Sequence, residues 1–165
     1  MNYEIVELSD FSGSKATIYS VIVGDDSLTL FDYFLNENIS DYREELKTIV
    51  NRIEVIGKTT GARETFFKHN EGKPGDGVCA LYDEPDSKLR LYCIRYGKIA
   101  IILGGGGPKP SNVLTWQDDE KLTLEAEEMI KVSKAIIHRL QSNEIKWSKD
   151  GFHLEGELKY SENDD

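Results

Sequence analysis

The segment KLRLYCIRYGKIAIIL, residues 88–103, is the most informative part of the chain for the fold, because two runs of strand-forming residues flank a single glycine. Residues 88–96 and 98–103 are rich in aliphatic and aromatic side chains, and Gly97 between them is typical of a turn. VCALY, residues 78–82, precedes them and is separated from them by the turn-forming DEPDS. We therefore predict three consecutive antiparallel strands as the core of a sheet.

Alternation within the middle strand divides its side chains into an apolar face and a mixed face. The apolar face consists of Leu89, Leu91 and Cys93, and the mixed face of Lys88, Arg90, Tyr92 and Ile94. Because successive side chains of a strand point to opposite sides of the sheet, we expect the apolar face to pack in the core. The mixed face is expected to present its cations and an aromatic ring.

The N-terminal part of the chain predicts a hairpin followed by a short ambiguous segment. Residues 2–9 and 16–23 are rich in β-branched and aromatic residues, with Ser-Gly-Ser between them, which is typical of a hairpin. Residues 27–38 fit either a further strand or a short helix capped by Asp26 or Ser27. The spacing of their apolar residues favours the helix.

Two longer segments have the spacing of amphipathic helices. From Tyr42 the apolar residues recur at intervals of three and four, and Gly57 predicts the end of this helix. The polar, glycine-rich residues 58–77 then predict a long connection. From Thr123, the predicted N-cap, to Gln141, acidic residues lie early and basic residues late, which suits a helix dipole.

The glycine-rich run and the C-terminal residues complete the predicted organisation. GGGGPKP, residues 104–110, follows a strand, but Pro108 stands where a phosphate-binding loop needs Gly-Lys-Ser or Gly-Lys-Thr. We therefore expect a break in the structure and a mobile loop there. Residues 144–165 predict an added hairpin with a Lys-Asp-Gly turn, followed by an acidic tail.

Together these elements predict a mixed α+β fold. An antiparallel sheet with a central Arg- and Tyr-rich hairpin would pack against two or three helices. The length of 165 residues suits a single domain, residues 1–165, with the N-terminal hairpin (residues 1–24) and the C-terminal hairpin and tail as additions.

Charge is distributed unevenly along the chain. The 30 acidic and 20 basic residues give a net charge of −10, which argues against general affinity for nucleic acids or anionic membranes. Residues 87–109 differ, because they contain five Lys or Arg residues and no Asp or Glu. If the protein binds RNA, we expect it to bind there.

The positions of the cysteines and histidines limit which catalytic groups and metal sites we expect. Cys79 and Cys93 lie in apolar strand segments, and there is no signal-peptide pattern or run of about 20 apolar residues, so we expect a cytoplasmic protein with reduced core thiols and no membrane segment. His69, His138 and His153 lie far apart without metal-ligand spacing, so we predict no metal and no cofactor. His69 fits either a general acid or base or a solvated loop histidine.

The remaining candidates are basic and aromatic residues around the central hairpin. They are Arg63, Lys68, Tyr82, Lys88, Arg90, Tyr92, Arg95, Tyr96, Lys98 and Lys109. Cations can stabilise the charge that develops when a ribose 2′-hydroxyl attacks a phosphodiester, and tyrosines can stack on bases. The alternative is a solvated sheet face whose positive charge offsets the acidic flanks.

Several short motifs, each weak alone, follow one another in an order that is typical of a known family. They are Phe34-Leu35, the helix from Tyr42 to Gly57, the link from Phe67-Lys68 to Gly72, the hairpin RLYCIRYGKIAIIL (residues 90–103), Lys109, and the closing helix over residues 123–141. In this order they resemble the RelE/HigB superfamily of toxins from bacterial toxin–antitoxin pairs. The resemblance covers about residues 17–141.

This resemblance implies a RelE-like fold and a metal-independent endoribonuclease that cleaves mRNA, at the ribosome, until an antitoxin protein covers its basic face. It implies that Arg90 grips the scissile phosphate and that Tyr92 or Tyr96 stacks on bases or moves protons. The candidate catalytic residues are Arg90, Arg95 and Tyr92, and the candidate RNA-binding residues are Lys68, Lys88, Tyr96, Lys98, Lys109 and Arg63.

Two other hypotheses remain open. In the first, the same scaffold is a non-catalytic RelE-like module that binds a protein partner through its acidic flanks or its C-terminal hairpin. In the second, the acidic ends of a toxin mask its own RNA-binding face.

Overall fold

The computed structural model of the chain describes residues 2–69, 76–82, 84–109 and 120–162. Within them, helices pack on both faces of a mostly antiparallel sheet, which confirms the predicted α+β class. The elements are β1 (Tyr3–Glu7), β2 (Thr17–Val23), α1 (Leu30–Asn38), α2 (Arg43–Val55), β3 (Phe67–Lys68), β4 (Val78–Leu81), β5 (Leu89–Tyr96), β6 (Ala100–Pro108), α3 (Glu120–Gln141), β7 (Ile145–Trp147), β8 (Leu154–Gly156) and β9 (Lys159–Tyr160). Residues 163–165 of the acidic tail, and Gly72 at the end of the predicted link, lie outside the described residues.

The main sheet has the strand order β3-β4-β5-β6-β2-β1-β9. The antiparallel pairs β4–β5 and β5–β6 confirm the three predicted consecutive strands, and the β1–β2 pair confirms the N-terminal hairpin. The β2 strand runs parallel to β6, because the chain crosses over through α1 and α2 between them. The N-terminal hairpin is therefore an integral part of the main sheet.

The segment after β2 is a helix, as its apolar spacing favoured, but its cap is Thr29. The Thr29 hydroxyl accepts a hydrogen bond from the Asp32 backbone N–H at 3.0 Å, and the Asp32 carboxylate accepts one from the Thr29 N–H at 3.0 Å. This reciprocal pair satisfies two N–H groups at the start of α1. The predicted caps Asp26 and Ser27 are wrong because the helix begins later.

The predicted end of α2 at Gly57 is also wrong, because the helix continues as a wider turn over Ile56–Thr60. Gly61, with a φ of 77°, then ends it in the left-handed conformation that glycine adopts easily. Gly57 serves a different purpose, since a Cβ there would lie 1.9 Å from the Phe11 carbonyl oxygen. The glycine lets the first loop pass directly against the helix backbone.

The sheet has a core on each face. Phe31, Phe34 and Ile53 of α1 and α2 cover one face, and Met129 and Ile136 of α3 cover the other. The expectation that the mixed face of β5 presents its aromatic ring is wrong, because α3 packs over that face. Tyr92 and Ile94 are both 0% exposed.

The four consecutive glycines are part of a strand. The predicted break is wrong, since β6 runs on through Gly107 to Pro108. Its register contains a bulge: between the pairs Leu91–Gly106 and Cys93–Leu103, one residue of β5, Tyr92, lies opposite two of β6. A Cβ on Gly104 would lie 2.3 Å from the Met129 sulfur, so the absence of side chains lets α3 lie close to the strand.

The closing helix α3 begins earlier than predicted. It includes Glu120, and Thr123 lies inside it, so the predicted N-cap is wrong. The predicted hairpin after α3 is present as the β7–β8 pair, and β9 returns to pair with β1. Among the described residues, no helix has the length and apolar character needed to cross a membrane.

Arg139 fastens the C-terminal segment to α3. Its side chain is buried, and its guanidinium donates to the Tyr3 hydroxyl at 3.2 Å, to the Glu144 carboxylate at 3.1 Å and to the Glu157 carbonyl oxygen. The group also lies 5.0 Å from the centre of the Tyr160 ring. These contacts join α3, β1 and the C-terminal residues.

We expect Arg139→Ala to lower the free energy of unfolding by about 3 kcal/mol, because it removes a buried side chain and leaves the buried Tyr3 hydroxyl and two partly buried contacts without their donor. Urea denaturation followed by circular dichroism measures the change. Lys134→Ala, at an exposed position of the same helix, is the matched control and should change stability little. Equal effects of the two substitutions would contradict this role for Arg139.

Candidate functional site

The predicted site residues fall into two groups at opposite ends of β5. Arg90 and Arg95 are five residues apart, which is about 17 Å along an extended strand. They also project to opposite faces, because Arg90 shares a face with Tyr92 under α3 and Arg95 lies over the Phe67 ring of the other core. The two arginines therefore cannot bind a single phosphate.

Arg95 holds the connection after α2 against the sheet. Its Nε donates to the Ala62 carbonyl oxygen at 2.9 Å, and its guanidinium lies 5.7 Å from the centre of the Phe67 ring. The Lys98 carbonyl oxygen accepts from the Ala62 N–H at 2.7 Å, and the Lys98 and Arg63 side chains are exposed nearby. Arg95 thus has a structural role in this conformation.

The two predicted tyrosines differ in exposure, since Tyr92 is fully buried and Tyr96 is partly exposed. Tyr92 is 0% exposed under α3. The Tyr96 ring packs 5.2 Å from the Trp147 ring, and its hydroxyl is buried without a hydrogen-bond partner among the described residues. Burial raises the pKa of Tyr96 well above its ordinary value, which opposes proton transfer at neutral pH. In this conformation the burial of Tyr92 leaves no face of its ring for a base, whereas RNA contact by the partly exposed Tyr96 stays a prediction.

The other end of β5 brings three predicted cations together. Arg90 pairs with Gly107 across the two strands, and the Lys109 N–H donates to the Lys88 carbonyl oxygen at 2.8 Å. The Lys109 ammonium donates to the Glu84 carbonyl oxygen and to the Ser87 hydroxyl, both at 2.9 Å. Backbone pairing therefore fixes Lys88, Arg90 and Lys109 beside one another.

A fourth cation comes from α3 and was missed in the sequence. The aliphatic part of Lys121 passes over Gly107, where a Cβ would lie 3.2 Å from Lys121 Cε. Its ammonium lies 3.1 Å from Glu125 and 3.2 Å from Glu37 of α1. We call Lys88, Arg90, Lys109 and Lys121 the basic end of the sheet.

Glu125 is the acidic group closest to the glycines. A Cβ on Gly105 would lie 2.3 Å from Glu125 Oε2, so this carboxylate occupies the space that a side chain would need. Burial raises the pKa of Glu125, while the adjacent Lys121 lowers it in part. In the sequence this residue is one of the acidic residues early in the closing helix, and only its (i, i+4) spacing from Lys121 indicates a pairing.

Beside the basic end, an aromatic stack borders the loop before β5. The Tyr82 and Phe66 rings stack with centres 4.9 Å apart, and the Arg52 guanidinium lies 4.3 Å above the Tyr82 ring. Tyr82 has a φ of 47°, which is unusual for a residue with a side chain. Lys68, another predicted RNA-binding residue, is exposed on the edge strand β3.

His69 and the two cysteines add little to this site. His69 is exposed, with its ring 3.2 Å from the Glu64 carbonyl oxygen. Cys79 and Cys93 face each other across β4 and β5 with their sulfurs 3.6 Å apart, and burial raises the pKa of Cys93. Their placement confirms that they are core residues.

Comparison of the chain with protein-family models, with curated proteins and with solved structures gives no match in any of the three. The chemistry of the site is therefore inferred from its own side chains. Lys88, Arg90 and Lys109 lie at neighbouring positions at the ends of β5 and β6, while Lys121 is held by Glu37 and Glu125, so the first three are the cations that could bind an anionic group.

Proposed function

We propose that the protein is a RelE/HigB-like toxin that cleaves mRNA at the ribosome and is neutralised by an antitoxin. The observation that carries this proposal is the basic end, where strand register sets Lys88, Arg90 and Lys109 beside one another and Lys121 of α3 crosses Gly107, in a chain of net charge −10. Positive charge concentrated at one place in an acidic protein favours an anionic ligand there.

The arrangement of the elements supports the same proposal. The run from β2 through α1, α2 and three antiparallel strands to α3 has the order on which the family resemblance rests. Arg90 would hold the scissile phosphate, and Lys88, Lys109 and Lys121 would hold the neighbouring backbone. An acidic segment of an antitoxin would cover these same cations.

A specific observation favours the second candidate, a non-catalytic module that binds a protein partner. Helices cover both faces of the sheet, and Tyr92, at the centre of the predicted site, is buried. In this case the basic end would bind an acidic segment of the partner and would not cleave RNA.

Induced expression in bacterial cells separates the two candidates. We expect the wild-type chain to stop growth and to shorten transcripts, and we expect the Lys88→Ala, Lys109→Ala double variant to do neither at equal levels of folded protein. Lys134→Ala, an exposed substitution about 20 Å along α3 from the basic end, should behave as wild type. Intact transcripts and normal growth with the wild-type chain would contradict the toxin proposal.

A further inference from the structure

The two cysteines of the sequence, Cys79 and Cys93, meet in the core on the face of the sheet that α1 and α2 cover. They lie directly opposite each other on β4 and β5, with their sulfur atoms 3.6 Å apart. We propose that this pair is a reversible disulfide site, oxidised by a peroxide and reduced by a dithiol, whose bond clamps β4 to β5. The inference goes beyond the proposed function and does not depend on it.

The register of β4 and β5 suits a disulfide. Residues directly opposite each other in an antiparallel pair have Cα atoms about 4.5 to 5.5 Å apart, which is within the range that a disulfide spans. Their side chains also point to the same face of the sheet. A bond of about 2.05 Å requires the two sulfurs to approach by about 1.5 Å, and rotation about the Cα–Cβ bonds supplies this movement.

The contacts that the thiols would lose on oxidation are weak. The Cys79 sulfur lies 3.8 Å from the Cys93 carbonyl oxygen, and the Cys93 sulfur lies 3.7 Å from the Cys79 carbonyl oxygen. Thiols are weak donors, so removing their two protons costs the core little hydrogen-bond energy. Both residues are buried, and the disulfide is an apolar group that fills the same space.

Cys79 is the sulfur closer to the edge of the sheet. The strand β4 lies between β5 and the two-residue strand β3, which pairs with Ala80 and Leu81. A strand whose outer side is held by two residue pairs opens locally without unfolding of the whole chain. A small oxidant therefore reaches Cys79 before Cys93, which belongs to the interior strand β5.

Cys93 is suited to the second step of the oxidation. Burial raises the pKa of Cys93 most, and the adjacent Cys79 raises it further, so Cys93 stays a thiol while Cys79 reacts. Its sulfur already lies 3.6 Å from that of Cys79, so the second step takes place within one molecule. Holding two reacting groups together in this way makes their reaction much faster than one between separate molecules.

The oxidation balances with one peroxide for each cysteine pair. The Cys79 thiolate attacks an oxygen of hydrogen peroxide, the O–O bond breaks, and the departing hydroxide takes up a proton, which gives a sulfenic acid and water. The Cys93 sulfur then attacks the Cys79 sulfur, the S–O bond breaks, and the Cys93 proton leaves with the hydroxide as a second water. The two sulfurs lose two electrons to the peroxide, and a dithiol restores both thiols by exchange.

The disulfide would enclose the loop that leads to the basic end. Cys79 and Cys93 are 14 positions apart, and the chain between them carries the Ser87 hydroxyl and the Lys88 carbonyl oxygen, both of which bind Lys109. The strands β4 and β5 are paired over Val78–Ala80, so a covalent bond adds much to a short contact. Because a cross-link restricts the unfolded chain, the oxidised form should be more stable than the reduced form.

Intact mass and thermal unfolding of the purified full chain test the proposal. The reduced chain is treated with hydrogen peroxide, then unfolded in urea and exposed to iodoacetamide. We expect a monomer that has lost about two mass units and takes up no alkyl group, with an unfolding midpoint at least about 5 °C above that of the reduced chain. Dithiothreitol should restore both alkylation sites and the lower midpoint.

Cys79→Ala and Cys93→Ala are the matched controls, because each leaves one thiol in the same core. Peroxide should not raise the unfolding midpoint of either variant, and the wild-type result stands without them if a variant fails to fold. Thiols of the wild-type chain that remain open to alkylation, become sulfinic acids or form disulfides between chains would overturn the proposal. An internal disulfide that leaves the midpoint unchanged would overturn the clamp.

Discussion

Replacing Arg90 with alanine is expected to lower the rate of RNA cleavage at least about 100-fold, because it removes the cation assigned to the scissile phosphate. Arg90 is fixed by its register opposite Gly107, and the neighbouring cations Lys88 and Lys109 are fixed by the backbone at the same strand ends. Single-turnover cleavage by the purified variant measures the loss.

Lys98→Ala is the control for charge alone. Lys98 belongs to the same predicted set, but it lies exposed in the turn beyond Tyr96, at the far end of β5. Its removal should leave the cleavage rate close to wild type. If Lys98→Ala impaired cleavage as strongly as Arg90→Ala, the basic end would not be the site. Arg95 is unsuitable for this comparison because it binds the Ala62 carbonyl oxygen.

Gly106→Ala should lower the free energy of unfolding by about 3 kcal/mol, which is large for the addition of one methyl group. A Cβ at this position would lie 1.8 Å from the Arg90 carbonyl oxygen and 3.1 Å from the Leu91 Cα. Both atoms belong to the backbone of the adjacent strand, so they cannot rotate away as a side chain would. The strands would have to separate at the bulge beside Arg90.

Gly107→Ala is the matched control, one residue further along β6. The atoms nearest to its Cβ would belong to the Lys121 side chain, with Cε at 3.2 Å, and that flexible end can move. We expect a loss below about 1 kcal/mol from this variant. Urea denaturation of the two variants measures both free energies of unfolding. Similar losses in the two would show that β5 and β6 do not approach each other as described.

Local pattern was sufficient to predict the three central strands. Strand-forming residues in runs, with Gly97 as the turn, define β4, β5 and β6 without reference to the rest of the chain. Alternation also divided β5 into the correct two faces. It could not show what covers each face, because the packing of α3 over Tyr92 and Ile94 depends on a helix that begins about 30 residues later.

The four glycines at residues 104–107 show where residue propensity fails to predict a strand. Four glycines in succession are typical of a loop, since glycine weakens a strand interior. In the folded chain they continue β6 because their lack of side chains admits Met129, Glu125 and Lys121 of α3. The compensating contact is tertiary, so no pattern within the run itself indicates it.

The candidate site was predicted in part. The excess of positive charge over residues 87–109 identified Lys88, Arg90 and Lys109, which the strand register brings together. The same excess included Arg95 and Lys98, because charge counted along a sequence does not distinguish the two ends of a strand. Lys121 and Glu125 were missed, since their position over the glycines follows from how α3 crosses β6.

Photo-cross-linking of the purified chain to a thiouridine-containing single-stranded RNA tests most directly where RNA binds. The site proposed here predicts cross-linked peptides that contain residues 88–90, residues 107–109 or Lys121, and predicts that Arg90→Ala weakens them. Cross-links confined to Arg63 and Lys98, or none above those of a competitor-saturated sample, would contradict RNA binding at the basic end.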